Sequence, residues 1–143
     1  MAVEYRRHPR ELSDIESLRL LGTTRFGRLV FTRRALPAIR PVPHIVDGDC
    51  VIIYADLGAG IFADRQVLCF EADLIDHRTL LGWCVIVTGL GEKVSDPEEI
   101  HRYRLMLPPA ALGARDRIFR IHADIVTGID FVPIADIADQ RLA

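Results

Sequence analysis

Three prolines within seven residues, Pro37, Pro41 and Pro43, constrain this chain more than any other feature. Each disfavours helix at the residue before it, and each removes a backbone donor from any ladder it joins. The segment Pro37 to Val46 is therefore extended, with an edge or a bulge. Asp47-Gly48 is a hairpin signal, and Cys50-Val51-Ile52-Ile53-Tyr54-Ala55 is its returning strand. Upstream, Arg28-Leu29-Val30-Phe31-Thr32 is rich in strand formers and joins the proline segment through Arg33-Arg34-Ala35-Leu36. Val67 to Ala72, Trp83 to Thr88 and Arg117 to His122 are further strands, and Thr127-Gly128 reads as a turn.

Two segments carry helix signals. Ser13-Asp14-Ile15-Glu16 is a capping box ahead of an Ile15, Leu18, Leu21 stripe that Gly22 ends. Asp96-Pro97-Glu98-Glu99 supplies an N-cap, a first-position proline and first-turn acids for a helix to about Leu105, stopped by Pro108-Pro109. Strand and helix do not alternate regularly, which argues against a doubly wound parallel sheet. The expected fold is mainly β (α+β): a six-stranded antiparallel split β-barrel with two or three short peripheral helices. At 143 residues there is room for one domain, 1–143, with a core of about 11–129 and an acidic tail over 130–143.

Composition removes several classes of function. The 18 basic residues are 17 arginines and Lys93, and the net charge is −2, so no nucleic-acid partner is expected. The longest uncharged stretch, Thr79 to Gly91, is too short to span a bilayer, and no apolar signal follows the N-terminus; no membrane partner is expected and the cytoplasm is the expected location. Cys50, Cys69 and Cys84 lack C-x-x-C spacing and lie in apolar runs, as reduced thiols do. None of the three serines has a nucleophile-elbow setting. The five histidines have no metal-ligand spacing, so no metal site is expected, and Asp76-His77 reads as a solvated loop.

Three places could carry chemistry. In Arg40-Pro41-Val42-Pro43-His44 the alternation of an extended chain puts Arg40, Val42 and His44 on one face, a cation and an imidazole suited to a planar anionic or carbonyl-bearing ligand; a solvated barrel edge is an equal alternative. Gly58-Ala59-Gly60 could bring backbone N–H groups to an anion, although a plain flexible turn is the default. Trp83 shares a face with Val85 and Val87, as core or interface packing would.

In order, these segments resemble the pyridoxamine 5'-phosphate oxidase-like superfamily, the flavin-binding split barrels, in its small bacterial branch. The resemblance is carried by Gly27-Arg28-Leu29-Val30-Phe31-Thr32, Leu36-Pro37-Ala38-Ile39-Arg40-Pro41-Val42 with Val46-Asp47-Gly48, Phe70-Glu71-Ala72-Asp73, Gly82-Trp83 through Val87-Thr88-Gly89, and Leu107-Pro108-Pro109 leading to Arg120-Ile121 and Thr127-Gly128. It implies a homodimeric oxidoreductase of a small-molecule substrate, with FMN or the deazaflavin F420 at the subunit interface. Arg40, Pro41, Val42 and His44 would line the ring, Gly58 and Ala59 the phosphate, and Trp83 would border the ring. The chain departs from the family where an Arg followed by Thr or Ser, and often a Lys, holds the phosphate: here stand Tyr54-Ala55-Asp56 and Gly58-Ala59-Gly60-Ile61. A non-catalytic dimer binding another planar ligand, haem or a tetrapyrrole, is the alternative that this departure raises.

Overall fold

The structure is a computed structural model and describes residues 6–55, 65–108 and 117–134. Its elements are β1 (Arg7–Leu12), α1 (Asp14–Leu21), β2 (Phe26–Arg33), β3 (Leu36–Asp47), β4 (Cys50–Ala55), β5 (Gln66–Ile75), β6 (Gly82–Lys93), α2 (Pro97–Met106), β7 (Arg117–His122) and β8 (Ile125–Pro133). Every pairing is antiparallel, and β6, β5, β2, β3, β4 and β7 follow one another around a barrel that β7 closes onto β6. The expected six-stranded barrel with two peripheral helices is present, together with two extra strands. Neither helix is long and apolar enough to cross a membrane.

The barrel is split along one edge of β6. Gly82–Thr88 pairs with β8, whereas Gly91–Lys93 pairs with β7. Strand β1 then adds to the far side of β8. Its sequence, Arg-His-Pro-Arg-Glu-Leu, has no apolar alternation and only Leu12 is buried, which is why no strand was expected there.

Two further expectations are corrected. Thr127-Gly128 is not a turn but lies inside β8; a Cβ on Gly128 would sit 1.9 Å from the Ser17 hydroxyl, so this glycine lets α1 approach the sheet. Asp130 to Pro133, which fall in the expected tail, continue β8, and the Asp130 carboxylate accepts a 2.9 Å bond from Arg10.

Helix α1 starts as its capping box requires, with Ser13 Oγ accepting from the Glu16 N–H at 3.1 Å. Its buried face is Ser17 and Leu21, an i, i+4 pair, while Ile15 is 82 % exposed and takes no part in the expected stripe. The barrel interior is filled by alternate residues of each strand, among them Leu29, Ile53, Phe70, Val85 and Ile121, all fully buried. Burial on that scale contributes roughly 1.5–3 kcal/mol per large side chain.

A second, smaller core lies outside the barrel, where α2 covers the outer residues Ile52, Tyr54 and Ile118 with Tyr103 and Leu107. Polar contacts fix this helix. The buried Tyr103 hydroxyl donates to Asp47 at 2.6 Å, Arg102 reaches the same carboxylate at 3.4 Å, and Arg120 bridges Glu92 and Glu99. Tyr103→Phe leaves the ring in place and removes the short bond to Asp47 together with the two 3.4 Å bonds that the hydroxyl accepts from Arg102 and Arg120. Its expected cost is about 1.5 kcal/mol in chemical denaturation, with the midpoint shifted and the slope unchanged. An unshifted midpoint would show that these bonds add nothing.

Candidate functional site

The proline-rich strand turns out to be half ladder and half open edge. The His44 N–H donates to the Arg25 carbonyl at 3.0 Å, so the even-numbered residues of β3 form the hydrogen-bonded pairs with β2. Residues 37, 39, 41 and 43 therefore direct their backbone groups to the other side. Three of these four are prolines, placed where no donor is required. On that side β4 pairs only with His44 to Asp47, and among the described residues no strand pairs with β3 beyond it. The Pro43 carbonyl lies within the β4 ladder, so the open edge carries the carbonyls of residues 37, 39 and 41 and one N–H, that of Ile39.

Arg40 stands over this edge. Its backbone is paired opposite Leu29, but its side chain is exposed, and its guanidinium donates to the Ile39 carbonyl at 3.1 Å. Pro41, exposed beside it, faces outward in register with Arg28. The other expected site residues lie elsewhere. Val42 and His44 do share the alternation of Arg40, but their part of the strand is inside the closed barrel and both are buried. His44 donates through Nε2 to the Leu21 carbonyl at 2.9 Å and packs on the Phe70 ring. Trp83 is buried in the barrel core on the face of Val85 and Val87. Gly58 and Ala59 fall outside the described residues.

A charged cluster that the sequence did not suggest occupies the outer face next to Pro41. Arg28 on β2 lies 3.7 Å from Glu71 and 3.4 Å from Asp73 on β5, and the Cys84 thiol on β6 donates to Glu71 at 3.9 Å. Burial, then hydrogen bonding and repulsion from Asp73, push the Glu71 carboxyl up to about 7, against the opposing pull of Arg28. Burial and the same two carboxylates push the Cys84 thiol up to about 11. Alternation alone could have put Glu71 and Asp73 on one face; their meeting with Arg28 depends on the β2–β5 register, which no local signal encodes.

A second thiol sits near an imidazole. Cys50 Sγ is 3.6 Å from His122 Nδ1, whose Nε2 is 3.0 Å from Glu92. This has the outline of a nucleophile, base and orienting acid, yet burial and Asp49 push the Cys50 thiol up to about 11, so it holds its proton at neutral pH. Asp76 is structural: its carboxylate accepts from the Arg78 and Thr79 N–H groups, each at 2.8 Å, and shapes the β5–β6 connection. A cleft of about 270 Å³ between β1, β8 and the start of α1 is separated from Arg40 by three strands.

The geometry defines a split β-barrel of six antiparallel strands with a strand edge open beside an exposed arginine, and comparison with known proteins gives the family. The pyridoxamine 5'-phosphate oxidase family model matches residues 13–130, and the chain belongs to that family. An uncharacterised protein of Mycobacterium tuberculosis is 45 % identical over 138 residues, covering 92 % of this chain and 88 % of the relative. Among solved structures, a protein of Corynebacterium glutamicum assigned as a pyridoxamine 5'-phosphate oxidase is similar with a TM-score of 0.74 and 27 % identity, covering 87 % of this chain and 99 % of the other. A FAD-binding protein of Mycobacterium smegmatis is similar with a TM-score of 0.69 and 28 % identity, covering 85 % and 96 %.

Proposed function

We propose that the chain is a homodimeric, cytoplasmic flavin-dependent oxidoreductase acting on a small molecule, with the flavin ring along the open edge of β3 at Arg40 and Pro41. The carrying observation is that edge. It offers a guanidinium donor, carbonyl acceptors and the single Ile39 N–H, which suits the pyrimidine side of a flavin, where two carbonyls flank an N–H. Family membership and the FAD-binding relative support the same reading.

A bound flavin would supply the electron chemistry. Arg40 would hold a fixed positive charge beside the ring's carbonyls, favouring the extra negative charge of the reduced state. Pro41 would present a rigid apolar surface, and Val42, His44 and Trp83 would serve as the packed layer behind it. Gly58 and Ala59 remain the proposed backbone donors to phosphate.

The phosphate chemistry orders the candidate flavins. FMN ends in a monoester of nearly two charges, and the side chains that hold it in relatives are absent between Tyr54 and Ile61. FAD and F420 carry phosphodiesters with one charge per phosphorus, which backbone N–H groups satisfy more readily. FAD therefore comes first, F420 second and FMN third.

Purified protein is expected to show a flavin spectrum, or to take up FAD more tightly than FMN on titration. Arg40→Gln is expected to weaken uptake by roughly 10-fold or more, the effect of losing a charge-assisted bond, while leaving the melting temperature of the ligand-free protein unchanged. Uptake of none of the three flavins would refute the reading, and an Arg40→Gln variant with unaltered affinity would remove Arg40 from it.

A further inference from the structure

Three strands bring a thiol, an imidazole and a carboxylate together at one end of the barrel. Cys50 on β4 stands directly opposite His122 on β7, and Glu92 on β6 stands opposite Arg120, the same-face neighbour of His122 two residues back. The two ladders therefore fix the contacts: Cys50 Sγ is 3.6 Å from His122 Nδ1, and His122 Nε2 is 3.0 Å from Glu92. The hydrogen bond from His122 and, against some desolvation, that from Arg120 hold the Glu92 carboxyl below its ordinary value, so it is ionised. An ionised carboxylate can only accept. The imidazole proton is therefore on Nε2, and the Nδ1 lone pair faces the thiol.

We propose that Cys50 is a site of oxidation by hydrogen peroxide, with His122 as the base that takes the thiol proton and returns it to the leaving oxygen. Glu92 is a positioning residue that holds the imidazole in the required tautomer. The step needs nothing from the proposed flavin site. Four other groups face the sulfur or border it. Asp49 in the β3–β4 turn lies 3.5 Å from Sγ, Asp47 on β3 and Arg120 on β7 act on it through their charge, and α2 contributes Tyr103, whose hydroxyl is bonded to Asp47. Burial and the acids keep the thiol protonated at neutral pH. Such a thiol reacts only if its proton leaves as the new bond forms, which is the work of a base already in contact.

The step balances as follows. Nδ1 of His122 takes the thiol proton, the sulfur attacks one peroxide oxygen, an S–O bond forms and the O–O bond breaks. The departing hydroxide takes the proton from Nδ1 and leaves as water; sulfur is oxidised by two electrons to the sulfenic acid, peroxide is reduced, and His122 ends neutral. The site suits this reagent on three counts. Cys50 is only 8 % exposed, which excludes bulky electrophiles, Asp47 and Asp49 repel anionic ones, and a leaving hydroxide needs the proton that the imidazolium returns. His122, with its side chain 37 % exposed, exchanges protons with solvent. The other two thiols are more exposed than Cys50 and have different partners: Cys69 accepts from the Thr88 hydroxyl, and Cys84 donates to Glu71.

The test treats the reduced full chain with hydrogen peroxide in the presence of dimedone, which traps sulfenic acids, and follows the label at each cysteine by mass spectrometry between pH 6 and 10. Cys50 is expected to label first although it is the least exposed of the three. Its rate should level off once His122 is neutral, whereas a thiol reacting through its own ionisation would keep accelerating toward about 11. His122→Gln is expected to slow Cys50 roughly 100-fold, the low end of general-base catalysis, and to leave Cys69 and Cys84 at their wild-type rates. Glu92→Gln, which frees the other tautomer, should slow it by less. Cys69 and Cys84 also report on folding, since both would speed up in a variant that opened. Cys50 labelling no faster than the other two overturns the site. A rate that climbs steadily to pH 10, or an unaltered rate in His122→Gln, overturns the base, and an unaltered rate in Glu92→Gln removes Glu92 from its role.

Discussion

Gly89→Ala is expected to unfasten the barrel, lowering the melting temperature by about 10 °C, which corresponds to about 3 kcal/mol for a chain of this length. Gly89 lies where β6 changes partners, between Thr88, paired with Ile125 of β8, and Gly91, paired with Ile121 of β7. The connection from β7 to β8 passes directly over it. A Cβ there would stand 1.7 Å from the His122 carbonyl oxygen and 2.8 Å from its carbon. Backbone atoms cannot swing away as a side chain can, so the turn must lift. Lifting it strains the 3.1 Å bond from the Leu90 N–H to Asp124 and the pairing on both sides of the split.

Gly48→Ala is the control. Gly48 has φ +61° in the β3–β4 turn, and a Cβ there meets nothing within 4 Å. It should cost only about 1 kcal/mol of backbone strain. Thermal unfolding of the two variants separates steric exclusion from conformational preference. A Gly89→Ala melting temperature no lower than that of Gly48→Ala would show that the β7–β8 connection yields freely.

The contrast between these glycines shows where the sequence is legible. Asp47-Gly48 is a local signal, and the hairpin it marks is present with matching strand ends. Gly128 carried an equally local signal with the wrong meaning, because its role, making room for Ser17, is set by a helix more than 100 residues away. Strand β1 was invisible for a related reason: it is held by hydrogen bonds to β8 and by the Arg10–Asp130 pair, and apolar alternation has no part in it. At the candidate site, alternation placed Arg40, Val42 and His44 on one face. Which side of that face is interior depends on closure of β7 onto β6, so the cation emerged at the edge and the imidazole went into the core. The Arg28, Glu71 and Asp73 cluster depends on register and was likewise unreadable.

The buried imidazole leads to the second large effect, on acid stability. His44 is fully buried opposite Ile53, and its Nε2 donates to the Leu21 carbonyl, with Thr24 Oγ1 3.3 Å away. The proton is therefore on Nε2, and Nδ1 is a buried acceptor with no partner among the described residues. Protonating Nδ1 would place an unpaired charge in the core, so burial holds the His44 pKa below its ordinary 6.5, only partly offset by the Leu21 carbonyl. The unfolded chain then binds the extra proton first. Stability from His44 is complete above pH 6.5 and is lost as pH falls from there through the folded-state value.

Glu71 acts in the opposite sense. Its folded value of about 7 lies above the ordinary 4.5, so its contribution is present at low pH and is lost as pH rises through 7. The wild-type profile mixes the two, and the difference between wild type and His44→Phe separates them. Phenylalanine keeps a ring against Phe70, and the Leu21 carbonyl still accepts from the Thr24 hydroxyl at 2.9 Å. At pH 7.5 the variant is expected to lie within about 1.5 kcal/mol of wild type. Below pH 6.5 the gap should shift steadily in its favour, as wild type alone meets the cost of an imidazolium in the core. Melting curves taken every half unit from pH 4.5 to 8 read this directly, and parallel profiles for the two proteins would show that His44 is not the acid-sensitive group.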